Sequence, residues 1–284
     1  MNLNEVVNQR FKRSERTYAQ NDSILYAIGV GFASRPLDPA HLAYLYEEQL
    51  VASPTLANVL GFQSAWVYES RFQINWKMAL HGEQRLTIHA PLPAAGRISL
   101  QNEIMGVRDR GPKGAVLHQR NRVFDAESGA PLATLIMTAM LRGDHNSGDW
   151  GEAPHELPGL PGRPCDHQAT FETYDFQNIV YRLTGDINPV HIDPAVAQEA
   201  GFEQPILHGL ATKGIAGYMV LREFCAMDAV RLKTLSVRFT QPVVPGDRIQ
   251  FQFWEEGPQT VLFRASLPDR GGIIVLDRGV ANIS

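Results

Sequence analysis

The chain has 284 residues, of which 44% are hydrophobic and 20% charged, and its formal net charge is -4. This composition is typical of a globular protein with an ample core, and the length suggests about two domains. Because Lys and Arg are scattered along the chain, neither a nucleic-acid interface nor a membrane-surface patch is expected.

Three features of the sequence predict a cytoplasmic protein. The polar N-terminus has no apolar stretch of the kind found in secretory signals. No apolar run approaches the roughly 18 residues of a membrane span. The only two cysteines, Cys165 and Cys225, are isolated, which predicts neither a disulfide framework nor a metal knuckle and favours a reducing compartment.

The first half of the chain predicts an antiparallel sheet packed on a helix. Residues 1–23 are polar and are expected to form a short helix or an irregular arm, and residues 24–32 are apolar. Asp38 followed by Pro39 is typical of a helix start, and the apolar stripe after it predicts a helix to about Leu50. Long strands are predicted at 84–90, 97–107, 114–124 and 131–141. This order indicates an α+β fold.

A linker separates this half from a second one with the same order of elements. Residues 143–165 are rich in Gly, Pro and charge, so the predicted domains are 1–142 and 166–284. In the second half, helices are expected at 193–201 and 209–224. Strands are predicted at 168–173, 234–240, 247–255, 260–267 and 272–283.

Short echoes between the halves suggest an internal duplication. Tyr26, Gly29 and the string Asp-Pro-Ala at 38–40 reappear as Tyr181, Gly185 and Asp-Pro-Ala at 193–195. Only the second half contains the pattern D-x-N-P-x-H. The sequence therefore predicts one active site per chain, with the first half free to shape a substrate groove.

The segment from Tyr181 to Gly209 is the densest group of candidate functional residues. It places Asp186, Asn188 and His191 within six residues, beside a short predicted helix. Such groups are costly near an apolar core, so their density favours a chemical role. Turn and capping roles are the alternative, because Asp and Asn before proline favour turns.

The end of this segment adds a possible oxyanion donor. The first N–H groups of a helix have no internal partner, and Gly209 lets a ligand oxygen approach the backbone closely. An acid–base pair beside such a donor suits proton transfer next to a thioester carbonyl. His208, just before it, is interpreted as a helix-start histidine. A metal site of His191 and His208 with Asp186 or Asp193 is disfavoured, since the spacing does not point to a particular metal and hydration of a thioester needs none.

At these residues the sequence resembles a known family. The string YRLTGDINPVH at 181–191, followed by LHGL at 207–210, resembles the hydratase 2 motif of the MaoC-like enoyl-CoA hydratases. Weaker matches at 26–31, 80–84 and 238–246 resemble the two-domain form found in peroxisomal multifunctional enzymes and bacterial homologues. The resemblance implies a double hot-dog fold, in which two antiparallel sheets each wrap a long helix. It also implies hydration of trans-2-enoyl-CoA to (R)-3-hydroxyacyl-CoA.

The same resemblance assigns roles to individual residues. It makes Asp186 and His191 the catalytic pair, Asn188 a positioning residue and the Gly209 N–H the oxyanion donor. It implies no metal and no cofactor, with CoA as part of the substrate, and a homodimer is expected. The positions expected to contact CoA or the acyl group are His81, Gly82, Arg110, Pro189, Val190 and Phe239. Arg110, with Lys113, is equally well interpreted as part of a solvated hairpin turn.

Three other functions remain open at this point. The same residues would serve dehydration of a 3-hydroxyacyl group carried on acyl carrier protein. Other hot-dog proteins hydrolyse thioesters, although the D-x-N-P-x-H order argues against hydrolysis here. A non-catalytic acyl-CoA binding protein is the alternative from a different class.

Overall fold

The computed structural model describes residues 1–145 and 147–284, and within them it contains seven α-helices and eleven strands. The helices are α1 (Leu3–Val7), α2 (Gln20–Gly29), α3 (Pro39–Leu42), α4 (Ala57–Leu60), α5 (Gln177–Arg182), α6 (Pro194–Glu199) and α7 (Gly209–Phe224). The strands are β1 (Ser14–Tyr18), β2 (Ala79–Ile88), β3 (Gly96–Asp109), β4 (Ala115–Asp125), β5 (Pro131–Leu141), β6 (Trp150–Gly151), β7 (His167–Glu172), β8 (Leu232–Phe239), β9 (Arg248–Glu255), β10 (Thr260–Leu267) and β11 (Ile273–Ile283).

The strands form one antiparallel sheet in the order β1-β3-β4-β5-β2-β8-β11-β10-β9-β7, with β6 beside β3. The first five strands of this order come from the first half of the chain and the last five from the second. The two halves join where β2 pairs with β8, with Gln84 opposite Val237. Arg238 on β8 also forms an ion pair across this junction with Glu83, at 2.7 Å. The antiparallel α+β architecture is confirmed, and its two predicted sheets join edge to edge.

Helix α7 is the central helix of the second half. All its residues from 210 to 221 are buried, and its neighbours include β7, β8 and β11. Two glycines let the first half pack closely on the same helix. A Cβ at Gly214 would lie 2.4 Å from Val30, and one at Gly217 would lie 2.5 Å from Thr55, so neither position has space for a side chain. Residues of the first half therefore cover α7 directly.

The predicted long helix at 38–50 is wrong, because α3 ends at Leu42 and turns follow. The apolar stripe does not form one buried face: Leu42 is 40% exposed and Tyr46 47% exposed, whereas Leu45 packs against the core. Gln49 has a positive φ of 65°, which no right-handed helix accommodates. The first half consequently has no counterpart of α7 among the described residues, and its longest helix is the ten-residue α2.

Two further elements differ from expectation near the N-terminus and β2. Residues 1–23, predicted to be a short helix or an irregular arm, contain the short helix α1 and also a strand, β1, which pairs with β3. Strand β2 begins at Ala79 rather than at residue 84, and its register against β5 shifts between His81 and Glu83. This bulge places His81 and Gly82 inside a strand rather than before it.

The echoes between the halves correspond to similar local structures. Asp38 accepts a hydrogen bond from the N–H of Ala40 at 3.0 Å, and Asp193 accepts one from the N–H of Ala195 at 2.8 Å. Both aspartates are thus N-caps of short helices that begin with proline. The rings of Tyr26 and Tyr181 lie 6.0 Å apart where α2 packs on α5. These matched features support the predicted duplication.

In the two stretches that the structure describes, no helix has the length and apolar character needed to cross a bilayer. The cytoplasmic location stays a prediction.

Candidate active site

The loop after α5 folds into a tight turn. The Asn188 N–H donates to Asp186 Oδ1 at 3.2 Å, and Asn188 Oδ1 accepts from the Val190 N–H at 3.2 Å. Asn188 is extended, with ψ 123°, as expected of a residue before proline. A single 3₁₀ turn then covers Pro189–His191. This turn folds the chain back, so that His191 comes close to Asp186.

His191 is held as a neutral imidazole with one nitrogen free. Its side chain is buried, and Nδ1 lies 2.9 Å from the carbonyl oxygen of Ile206. Because a carbonyl oxygen only accepts hydrogen bonds, Nδ1 carries the proton and Nε2 keeps its lone pair. Burial lowers the pKa of His191, which favours this neutral form. The structure therefore presents a proton acceptor near neutral pH.

His208 contacts both members of the predicted catalytic pair. Its Nε2–H donates to the backbone carbonyl of Asp186 at 3.0 Å, and its ring stacks on that of His191 with centroids 3.7 Å apart. The ring of Tyr181 lies 4.9 Å from it. Burial, with a smaller effect of neighbouring His191, lowers the pKa of His208 to about 3, so this imidazole is neutral. The bond to Asp186 spans 22 residues, so no local pattern predicts it.

Asp186, His191 and His208 each contribute a ligand-type atom to one cluster, and these atoms lie within 4.8 Å of one another. Their composition suits a metal ion, but the stacked rings do not. The two imidazole planes are inclined by only 26° with centroids 3.7 Å apart, so the planes run nearly side by side and do not meet near the ring nitrogens. A metal must lie close to the plane of each ring, at about 2.0–2.1 Å from its nitrogen. This geometry favours binding of a small polar molecule, such as water, between these side chains over binding of a metal ion.

Gly209 supplies the third element of the site. It is the first residue of α7, it is exposed, and its N–H has no acceptor among residues 1–145 and 147–284. A Cβ at this position would lie 3.4 Å from the ring of Phe239, so the aromatic ring approaches the backbone closely. A free N–H at the start of a sixteen-residue helix is a good donor to a partly negative oxygen.

An aromatic wall lies next to these groups and consists of His81 and Phe62 from the first half and Phe239 from β8. The ring of His81 lies 4.8 Å from that of Phe239 and 6.4 Å from that of Phe62. His81 Nε2–H donates to Gln84 Oε1 at 2.9 Å. Burial lowers the pKa of His81 to about 4; Lys213 also lowers this pKa, whereas the hydrogen bond to Gln84 and the charge of Asp186 raise it. His81 is therefore close enough to Asp186 for its pKa to respond to that charge.

The other predicted contact residues are placed differently. Arg110 lies exposed on the β3–β4 hairpin, and its guanidinium makes no ion pair with any described residue. Pro189 is exposed and Val190 half-buried in the 3₁₀ turn, while Gly82 lies at the bulge of β2. The Asn188 side chain caps the turn, which is the alternative role given above. Contacts of these residues with CoA stay predictions.

Sequence reasoning missed three residues around this wall: Phe62, Asn58 and Lys213. Lys213 had a signal, because it is the single charged residue between 209 and 221 in an otherwise apolar helix. Phe62 and Asn58 had none, because their partners are distant in sequence: Phe62 lies against His81, and Asn58 accepts a hydrogen bond from Lys213.

In comparison with known protein families, each half of the chain matches a separate family model. Residues 17–143 match the MFE-2 hydratase 2 N-terminal domain, and residues 156–267 match the MaoC like domain. The whole chain is 36% identical to a probable enoyl-CoA hydratase 2 of Dictyostelium discoideum and covers 97% of it. The chain belongs to the MaoC-like hydratase 2 family. A 3-hydroxyacyl-thioester dehydratase of Mycobacterium tuberculosis is 35% identical over 92% of this MaoC-like chain and 91% of its own length.

Solved structures give the same assignment for this MaoC-like protein. A MaoC-like dehydratase from Phytophthora capsici superposes with a TM-score of 0.87 at 32% identity, covering 100% of this chain and 99% of that one. A double hot-dog protein from Mycobacterium tuberculosis superposes with a TM-score of 0.59 at 15% identity, covering 100% and 97% of the two chains. The second likeness shows the fold alone, and it confirms the double hot-dog prediction.

Proposed function

We propose that this chain catalyses the reversible hydration of trans-2-enoyl-CoA to (R)-3-hydroxyacyl-CoA. Its family consists of hydratases and dehydratases, so the protein is a hydro-lyase. The finer assignment depends on one observation: ligand-type atoms of Asp186, His191 and His208 lie within 4.8 Å of one another, and Gly209, which follows His208, has an exposed N–H without an acceptor among residues 1–145 and 147–284. The relative from Dictyostelium discoideum, named an enoyl-CoA hydratase 2, supports the same substrate class.

The proposed chemistry uses these three groups in sequence. Asp186 accepts a hydrogen bond from the attacking water, and His191 Nε2 takes the proton that the water loses as its oxygen bonds to C3. The C2=C3 π bond breaks, and its electrons move into the thioester to form an enolate. The imidazolium of His191 then returns the proton to C2, which restores the neutral enzyme. General acid–base help of this kind is worth about 10²–10⁴ in rate.

The Gly209 N–H stabilises the intermediate in this scheme. Negative charge develops on the thioester oxygen when the enolate forms, and this oxygen accepts the hydrogen bond. The dipole of α7 adds to the effect, because the positive end of the helix is at Gly209. One such donor contributes roughly 3 kcal/mol to the transition state.

Two substitutions test the proposal. The conjugated absorbance of an enoyl-CoA is expected to fall when the purified protein is added, with the (R)-alcohol as product. Asp186→Asn and His191→Ala should each reduce kcat by about 10²-fold or more. Asp193→Asn, which keeps its helix cap, and exposed His155→Ala are matched controls and should remain active. Full activity in both catalytic-pair variants would contradict the assignment.

A second candidate is dehydration of a 3-hydroxyacyl group on acyl carrier protein. It is favoured by the relative named a 3-hydroxyacyl-thioester dehydratase, a name that specifies no carrier. Comparing kcat/KM for CoA and carrier-protein thioesters of the same acyl group separates the two. In the same assays, release of free thiol would indicate hydrolysis, and tight binding without turnover would indicate a binding protein. Light scattering of the purified protein tests the predicted homodimer.

A further inference from the structure

Lys213 is a buried amine without a counter-charge. It lies on α7, and its side chain is 0% exposed. Its Nζ donates a hydrogen bond to Asn58 Oδ1 at 2.9 Å and forms no ion pair with any carboxylate in the described part of the chain. Burial lowers its pKa well below the ordinary value for lysine. A fully buried lysine is costly to hold, so its presence calls for a physical reason.

The hydrogen bond to Asn58 uses only one of the N–H donors of the Lys213 amine. The amine has three N–H donors when protonated and two when neutral, and in either form only one of them has a partner here. Asn58 is itself fixed by the first half, because its Nδ2 donates to the Thr55 carbonyl at 2.9 Å. The carbonyl end of the Asn58 amide is therefore held toward Lys213. The result is a polar pair with spare donors at the contact between the two halves.

The position of the amine relates it to the predicted acyl groove. Lys213 follows Gly209 by one helical turn, which is about 6 Å along α7. His81, in the aromatic wall with Phe239 and Phe62, is affected by the charges of both Lys213 and Asp186. An acyl group bound at Gly209 and directed inward along this wall would approach Lys213. The four-carbon stem of lysine lets the amine turn toward such a ligand.

We propose that Lys213 determines substrate specificity by hydrogen bonding to a distal carboxylate on the acyl group of the enoyl thioester. This inference rests on the proposed function and specifies its substrate class. A carboxylate would supply the missing counter-charge and accept the unused N–H donors of the amine. A plain hydrocarbon chain would leave these donors unpaired.

The test compares two substrates of equal length, trans-2-hexenoyl-CoA and trans-2-hexenedioyl-CoA, which differ in a terminal methyl or carboxylate. The wild-type protein should show the higher kcat/KM for the diacid thioester. Lys213→Met removes the amine but keeps a similar length, and it should lower the diacid-to-hydrocarbon ratio by about 10- to 100-fold. Exposed Lys233→Met is the matched control and should keep the wild-type ratio.

A second variant protects the test against a failure to fold. Asn58→Asp places a carboxylate against the amine, so the internal ion pair should occupy Lys213 and lower the same ratio while the lysine remains. A purely structural role would reduce stability in either variant but leave the ratio unchanged. An unchanged ratio in the folded variants would overturn the inference, while hydration of both substrates would still support the proposed function. If the wild-type protein hydrated neither substrate, the proposed function would be wrong.

Discussion

His208 offers the sharpest prediction about how the site is held together. Its Nε2–H donates to the Asp186 carbonyl at 3.0 Å, and its ring stacks on His191 at 3.7 Å. The two contacts can be separated by substitution. His208→Phe keeps a flat ring against His191 but removes the donor to Asp186. His208→Gln keeps an N–H at a similar distance from the backbone but removes the ring.

The expected loss of activity in each variant follows from the contact that the substitution removes. A buried carbonyl that loses its donor costs about 1–3 kcal/mol. A misplacement of a catalytic group by about 1 Å costs about 10²-fold in rate. His208→Phe should therefore lower kcat by about 10- to 100-fold with little change in KM, because Asp186 moves while the Gly209 N–H stays. His208→Gln should recover most of this loss, since the donor is restored.

The assay is the loss of enoyl-CoA absorbance over a range of substrate concentrations, with thermal unfolding of each variant measured alongside. A structural role alone would lower both variants' melting temperatures without separating their kcat values. The reasoning would be refuted if the Phe variant kept full kcat while folded, or if the Gln variant were as impaired as the Phe variant.

Two predictions concern stability. The folded-state pKa of His208 is lowered to about 3 from an ordinary value near 6.5. The neutral imidazole therefore contributes its full share to the free energy of unfolding above pH 6.5, and this share is lost as the pH falls below that value. The free energy of unfolding, measured with urea, should therefore be about 2 kcal/mol lower at pH 5 than at pH 7.5 because of His208. In the His208→Gln variant, this part of the pH dependence should be absent. Gly31→Ala should lower the melting temperature strongly, because Gly31 has φ 103° and a Cβ there would lie 2.5 Å from the Phe171 ring. Gly159→Ala, with open space around it, is the control, and equal melting temperatures would contradict this account.

The second half could be predicted well because its signals are local. Asn188 before Pro189 restricts the backbone to the extended conformation seen, with ψ 123°. Asp193 before Pro194 caps α6 as predicted, and α7 has the predicted bounds of Gly209 and Phe224. Each of these outcomes depends on residues within a few positions of one another. Short-range sterics and capping are therefore enough to place Asp186 and His191 on one turn.

Elements that depend on distant contacts could not be predicted in this way. Strand β1 has the polar sequence SERTY and is held by backbone pairing with β3, which leaves no apolar pattern to detect. The stripe at Leu42 and Tyr46 resembles a helix face, but the side chains are exposed. The single charge in an apolar helix marks Lys213, but its partner has no local signal, because Asn58 lies 155 residues away in the sequence.

The two halves of the chain differ in sequence motif and in secondary structure. The first half has no D-x-N-P-x-H pattern, and in place of a long central helix it has short turns around Pro54–Leu60. These turns bring Thr55 against Gly217 and Asn58 against Lys213, so the half without the motif lies directly on the helix that begins at Gly209. The chain thus has one predicted catalytic segment, and the first half lies where we expect it to contact the acyl group. A specificity change is expected to map to first-half residues such as Asn58, while loss of the reaction itself should map to the second half.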